Sequence, residues 1–221
     1  MKKVMITGSS GMVGRGVLIE CLESKDVEKV LVINRSPIGL SHPKLEEILL
    51  KDFLQIESIK GKLAGYDACF YCMGISVIGL SEDEYSKITF KTTQAFADVL
   101  HSLNPSLVFC YVSGKNTDST EKGSLMWARV KGKTENMILN KGFKDAYAFR
   151  PGVIIPEKGV KSKTKLYNFF YIIMTPFFPL FKLLSSTTTS SRLGQAMIKA
   201  MLQPFDKKIL ESRDINELAM R

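Results

Sequence analysis

Gly8, Gly11 and Gly14 recur at intervals of three directly after the apolar run Val4-Met5-Ile6-Thr7, and that spacing suits chemistry on phosphate. A buried strand that enters a glycine turn and then a helix offers free backbone N–H groups and a positive helix end to a diphosphate. Each glycine carries its own expectation: Gly8 for a tight turn, Gly11 for close approach of backbone to ligand, Gly14 for close packing of helix on sheet. Ser10, Met12 and Val13 lie in the same turn and the first helical residues. The ligand these residues predict is a dinucleotide.

The second apolar strand ends Val32-Ile33-Asn34-Arg35-Ser36. An NAD site ordinarily places an acid there to accept from the ribose hydroxyls, whereas arginine pairs with a 2′-phosphate. The expectation is therefore NADP rather than NAD, with Arg35 as the reader and Arg15 assisting. Asp52 is placed to meet the adenine amino group with Phe53 packing nearby, and Cys72, Met73 and Gly74 are expected to pass beneath the adenosine half.

Stepping along the chain, apolar strands alternate with helix-length segments, the pattern of a doubly wound parallel α/β sheet. Strands are predicted at 3–7, 29–33, 48–51, 67–71, 107–111 and 146–149, with helices at 12–23, 43–48, 83–101 and 125–140. Beyond Pro151 the alternation loosens to a short strand at 187–189, a helix at 191–202, a strand near 207–210 and a helical tail from Arg213. The whole chain reads as one dinucleotide-binding domain, with 157–221 forming a small variable lobe.

Taken together, the glycine trio, Asp52, Tyr71–Gly74, Ser113, Lys131 and Arg150-Pro151-Gly152 resemble the short-chain dehydrogenase/reductase superfamily, in its atypical epimerase-like and TIP30-like branch. The resemblance implies a Rossmann-type fold with a short C-terminal substrate lobe and an oxidoreductase activity. It assigns substrate binding to Ser113 and the nicotinamide ribose to Lys131, and it places Pro151, Gly152 and Val153 beside the nicotinamide, with Gly152 lending backbone freedom. The family's acid–base tyrosine precedes that lysine by four residues, and here the position holds Trp127. Residues i and i+4 share a helix face, so Trp127 and Lys131 reach one cleft. An indole has one N–H donor and no proton to exchange near neutrality, unlike a phenol whose pKa a nearby ammonium lowers. Tyr111 is the first candidate to replace the missing hydroxyl, with Tyr85, Lys115 and Arg129 weaker. Two readings follow: an NADP-dependent oxidoreductase of small carbonyl or alcohol compounds, and a non-catalytic NADP-binding regulatory or interaction protein.

The formal charge is +9, from 31 basic and 22 acidic residues among 221, and residues 157–221 contribute +6 of it. No zinc spacing or helix-turn-helix signal accompanies the excess, so nucleic acid is not an expected partner. Cys21, Cys69, Cys72 and Cys110 fall in helix and strand interiors, which suits reduced thiols in a cytoplasmic protein rather than disulfides or a metal site. The run Leu166–Leu184 is apolar, yet it contains Pro176 and Pro179, and its uncharged stretch is too short to span a bilayer. Its phenylalanines suit a small-molecule or lipid-like substrate, or a homodimer contact. Peripheral membrane contact through Lys158, Lys161, Lys163 and Lys165 is the less favoured use of this region.

Overall fold

Val4, Ile6, Val30, Val32, Ala68 and Phe70 are fully buried on one side of a sheet, while their neighbours Met5, Leu31, Ile33, Cys69 and Tyr71 are buried on the other. Successive strand residues point to opposite faces, so runs that are apolar at every position require cover on both sides. The computed structural model, which describes residues 1–160 and 186–221, supplies that cover.

Among the described residues seven strands form the sheet: β1 (Lys2–Thr7), β2 (Val27–Asn34), β3 (Leu45–Leu49), β4 (Ala68–Tyr71), β5 (Val108–Val112), β6 (Asp145–Arg150) and β9 (Ile209–Glu211). Their order is β3-β2-β1-β4-β5-β6-β9, and every neighbouring pair is parallel. A separate parallel pair joins β7 (Val153–Ile155) to β8 (Thr187–Thr189). Helix α1 (Met12–Glu23) packs on one face with α5 (Ser190–Leu202) and α6 (Ser212–Met220), through Val17, Leu18, Leu193, Met197 and Ile215. The other face carries α3 (Thr92–Leu103), α4 (Met126–Leu139) and a 3-10 stretch at Phe53–Lys62, through Phe96, Leu100, Ile138 and Phe53. This is a Rossmann-like α/β fold, and its carboxyl strand ends gather the loops in which such sheets bind ligands.

Three local expectations change. No helix forms at 43–48; the segment is the edge strand β3, in which Glu46 and Glu47 are exposed, as edge strands tolerate. The helix expected at 83–101 divides into α2 (Glu82–Ser86), a π-helical turn at Lys87–Lys91, and α3. The strand β7 carries no signal in the sequence, because three residues after a proline-glycine turn show no alternation. The aromatic run 166–184 and Lys161, Lys163 and Lys165 lie outside the described residues. Lys158 is described, and its ammonium pairs with Glu20 and Glu23, each at 2.5 Å. Among the described residues no helix is long and apolar enough to cross a membrane. The four cysteines are free, and burial pushes every one of their thiols up, away from the reactive thiolate.

Candidate functional site

The glycine turn joins β1 to α1. Gly8 has φ +69°, a left-handed conformation, and a Cβ there would come within 2.7 Å of the Cys72 carbonyl oxygen. At Gly14 a Cβ would meet the Gly8 carbonyl at 2.3 Å, so the first turn of α1 lies directly on the strand end. Gly11 differs from both: its nearest neighbour would be the Gly8 oxygen at 3.4 Å, which leaves that side open to a ligand. Gly11 is the N-cap of α1 and supplies no side-chain cap, so the first-turn amides around Met12 and Val13 keep their capacity for an anion. A cavity of about 200 Å³ opens here, lined by Gly8, Ser10, Gly11, Arg35, Phe53 and the Cys72–Gly74 loop. The residues present fit a dinucleotide diphosphate.

The Asn34 side chain is buried at the end of β2, where Ser9 Oγ donates to its Oδ1 at 2.9 Å. Its Nδ2 donates to Glu47 Oε1 at 2.9 Å, and the Ile38 amide reaches the same oxygen at 3.2 Å. The β2–β3 register pairs Val32 with Glu47, so the neighbouring strand brings a carboxylate to a strand end that has none of its own. Arg35 lines the cavity with an exposed side chain. Asp52 caps the 3-10 stretch by accepting from the Leu54 amide at 3.0 Å, and Phe53 packs edge-on against Phe96.

A second group lies at the end of β5 and along α4. The buried Ser113 amide donates to the Phe149 carbonyl at 2.9 Å, and its hydroxyl donates to Glu135 Oε1. Lys131 Nζ donates to the Ser113 carbonyl at 2.5 Å. Burial holds the Lys131 ammonium below the usual lysine range, opposed by the charge of Glu135. Trp127 is half-buried one turn earlier on α4 and makes no hydrogen bond with any described residue. Tyr111 points to the same face of the sheet, beside Thr134 and Glu135 of α4, but it is sealed in the core: it is 1% exposed, its ring is 6.0 Å from that of Tyr71, and burial pushes its hydroxyl well up. Tyr85 is also buried, and Arg129 is bound to Glu82 and to the Gly123 and Ser124 carbonyls.

Sequence reasoning missed Glu135. It is fully buried, and Arg150 Nε reaches its two oxygens at 3.0 and 3.2 Å. Its signal was the spacing: Trp127, Lys131 and Glu135 follow at i, i+4 and i+8, one stripe of α4. Past β6, the Pro151 carbonyl accepts from the Lys115 amide and the Gly152 amide donates to Ser212 Oγ, both at 2.9 Å. A Cβ at Gly152 would come 2.4 Å from the Ser186 carbonyl, so a close chain crossing, not backbone freedom, requires glycine there. Val153 begins β7 and is 54% exposed.

No family model matches this chain. Protein FMP52-1, mitochondrial, of Scheffersomyces stipitis is 24% identical over 226 residues, 96% of each chain. Protein HTATIP2 of Rattus norvegicus is 24% identical over 159 residues, covering 71% of this chain and 64% of that protein. Among solved structures, a uronate dehydrogenase variant from Agrobacterium tumefaciens complexed with NAD matches with TM-score 0.68 at 16% identity, over 95% of this chain and 76% of that one. The Bordetella bronchiseptica enzyme WbmF in complex with NAD+ matches with TM-score 0.68 at 13% identity, over 98% and 76%. These likenesses show the fold: the chain shares the Rossmann-like α/β architecture of NAD-binding dehydrogenases.

The comparisons correct one expectation. Three of the similar structures, the uronate dehydrogenase variant, WbmF and WbmH, hold NAD or NAD+, which argues against the NADP preference inferred from Arg35. The geometry gives a physical reason. Arg35 does not follow an acid-free strand end, because Glu47 arrives from β3 and its carboxylate accepts from Asn34 and from the Ile38 amide there.

Proposed function

We propose that this chain is an oxidoreductase dependent on a nicotinamide dinucleotide and acting on a small carbonyl or alcohol compound, in a site whose usual tyrosine is Trp127. The observation that carries this reading is the placement of the glycine cradle and the Ser113–Lys131 pair at the carboxyl ends of one parallel sheet. Gly8 follows β1 and Ser113 follows β5, with only β4 between those strands.

In this reading the whole chain is one dinucleotide-binding domain, and residues 157–221 add the substrate lobe. Gly8, Gly11 and the first turn of α1 hold the diphosphate; Phe53, Met73 and Gly74 border the adenosine half. Lys131 holds the second ribose, and Pro151, Gly152 and Val153 border the nicotinamide. When bound, the nicotinamide supplies or accepts the hydride. The Trp127 N–H donates to the substrate oxygen and holds it in place but moves no proton, so the proton that the product alcohol gains, or the substrate alcohol loses, is exchanged with water. Ser113 Oγ already donates to Glu135, so it meets substrate as an acceptor.

That engagement also favours a second reading, in which the chain binds the dinucleotide as a regulatory or interaction protein and turns nothing over. One experiment separates the two: NADH binding by calorimetry beside NADH consumption with a panel of aldehydes, ketones and quinones. Consumption with any member supports the enzyme. Tight binding without consumption, unchanged in Trp127→Tyr, supports the binding protein.

A further inference from the structure

A cavity of about 440 Å³ lies between the loop after β5, the end of β6 and the start of α6, lined by Lys115, Asn116, Arg150, Ser186, Glu211, Ser212 and Arg213. From this cavity we infer that the chain carries an anion subsite beside Ser113, built by Lys115, Arg150 and Arg213, for the carboxylate of a small oxo or hydroxy acid. The inference rests on the oxidoreductase reading and names its class of substrate.

The three cations have different duties. Arg150 forms the floor: its Nε and Nη2 are taken by the buried Glu135, Nη2 also donates to Ser119 Oγ, and Nη1 stands 3.9 Å from Glu211. Burial and that partner fix the guanidinium in place, and the Glu135 hydrogen bonds hold it protonated above its usual range. Lys115 and Arg213 have exposed side chains with no hydrogen-bond or ion-pair partner among the described residues, so their donors face the cavity for a ligand. Unpaired cations that share a cavity attract an oxyanion, and the planar arginine fork matches a carboxylate.

Two facts set the class. The Lys115 amide is tied to the Pro151 carbonyl, and Lys115 Cδ is 3.4 Å from the Cβ position at Gly152, so the subsite adjoins the segment that borders the nicotinamide in the oxidoreductase reading. With Lys131 beside Glu135, four cations (Lys115, Lys131, Arg150 and Arg213) face three carboxylates (Glu135, Glu211 and Asp118), which leaves one positive charge for the ligand to match. A monoanion fits that balance; a dianionic phosphate group would bring surplus charge against Glu211.

The test uses the full chain with saturating NADH and ligand-observed NMR titration with butyrate, then with inorganic phosphate. The expected result is saturable butyrate binding that weakens about 10-fold in Lys115→Met and in Arg213→Met, each folded by circular dichroism, and that weakens with added salt. Alongside, kcat/KM for succinic semialdehyde exceeds that for butanal, and the ratio falls about 10-fold in either variant. Variant-sensitive butyrate binding with neither aldehyde reduced keeps the subsite and removes the enzyme reading. Butanal reduced as well as succinic semialdehyde, with butyrate binding absent or unchanged in both variants, keeps the enzyme and overturns the subsite. Phosphate bound more tightly than butyrate, with the same sensitivity, also overturns the carboxylate assignment.

Discussion

The Ser113 hydroxyl donates a hydrogen bond to the buried carboxylate of Glu135, a residue two turns beyond Trp127 on the same helix face. The serine that the resemblance assigns to substrate is thereby oriented from below. Glu135 in turn fixes Arg150, the floor of the neighbouring basic cavity. One carboxylate thus positions a group at each of two adjoining clefts.

Replacing that carboxylate leaves Arg150 without its partner, and Arg150 is only 12% exposed at the side chain. Removing one member of a buried pair costs about 3–5 kcal/mol. Glu135→Gln keeps an acceptor for Ser113 and Arg150, and the expected loss is at the lower end, about 3 kcal/mol, read as the urea midpoint shift at constant m. A loss below about 0.5 kcal/mol, as at ordinary surface sites, contradicts the pairing.

Gly11 and Gly14 separate ligand binding from folding. Gly14→Ala drives a Cβ to 2.3 Å from the Gly8 carbonyl, so the chain is destabilised by about 1–3 kcal/mol, as in other overpacked sites. Gly11→Ala meets nothing closer than 3.4 Å, so its melting temperature stays within a few degrees while NAD+ affinity drops. Thermal melts with and without NAD+ read both effects. An Ala at Gly11 that binds NAD+ as well as the native chain shows that the diphosphate lies elsewhere.

The correction at Arg35 is tested by competition. NADP+ is expected not to displace NAD+ at equal concentration, and Glu47→Gln is expected to narrow the difference by removing the carboxylate charge at that strand end. Calorimetric affinities for both cofactors in both proteins give the answer. Tighter NADP+ binding by the native chain overturns the role given to Glu47.

Lys131 makes a pH prediction. Its folded pKa lies below the unfolded value of about 10.4 because burial penalises the ammonium. Between the two values the unfolded chain binds more protons, so this residue's contribution to stability rises as pH rises through that window, and its penalty is complete below the folded pKa. Lys158 and Lys208 are shifted upward and act in the opposite sense, so the comparison is with Lys131→Met rather than with the raw profile. Denaturation from pH 7 to 11 is expected to show the native-minus-variant stability increasing with pH. A flat difference contradicts a buried ammonium.

Much of the fold is legible because β1, β2, β4 and β5 are buried at almost every position, and a run apolar on both faces announces a covered parallel strand. The edge strand β3 is legible only at its far end, near 48–51, because two of the five residues of Leu45–Leu49 are exposed glutamates and the segment resembles a helix turn until β2 pairs with it. The same limit hid Glu47, whose place beside Asn34 depends on strand register. Glu135 was hidden differently, since a glutamate on a polar helix reads as solvated until Arg150 arrives from β6. Arg150, in turn, was read only as part of a turn motif. What the sequence left unread in this site came through space from a neighbouring element.

The most direct measurement is single-turnover oxidation of NADH by the native chain and by Trp127→Tyr with an aldehyde such as succinic semialdehyde. General acid catalysis by a positioned side chain contributes about 100- to 10,000-fold, so the variant is expected to be at least about 100-fold faster than the native chain. Equal rates in the two proteins, with NADH bound to both, would contradict the claim that this site is an oxidoreductase centre complete but for its proton carrier.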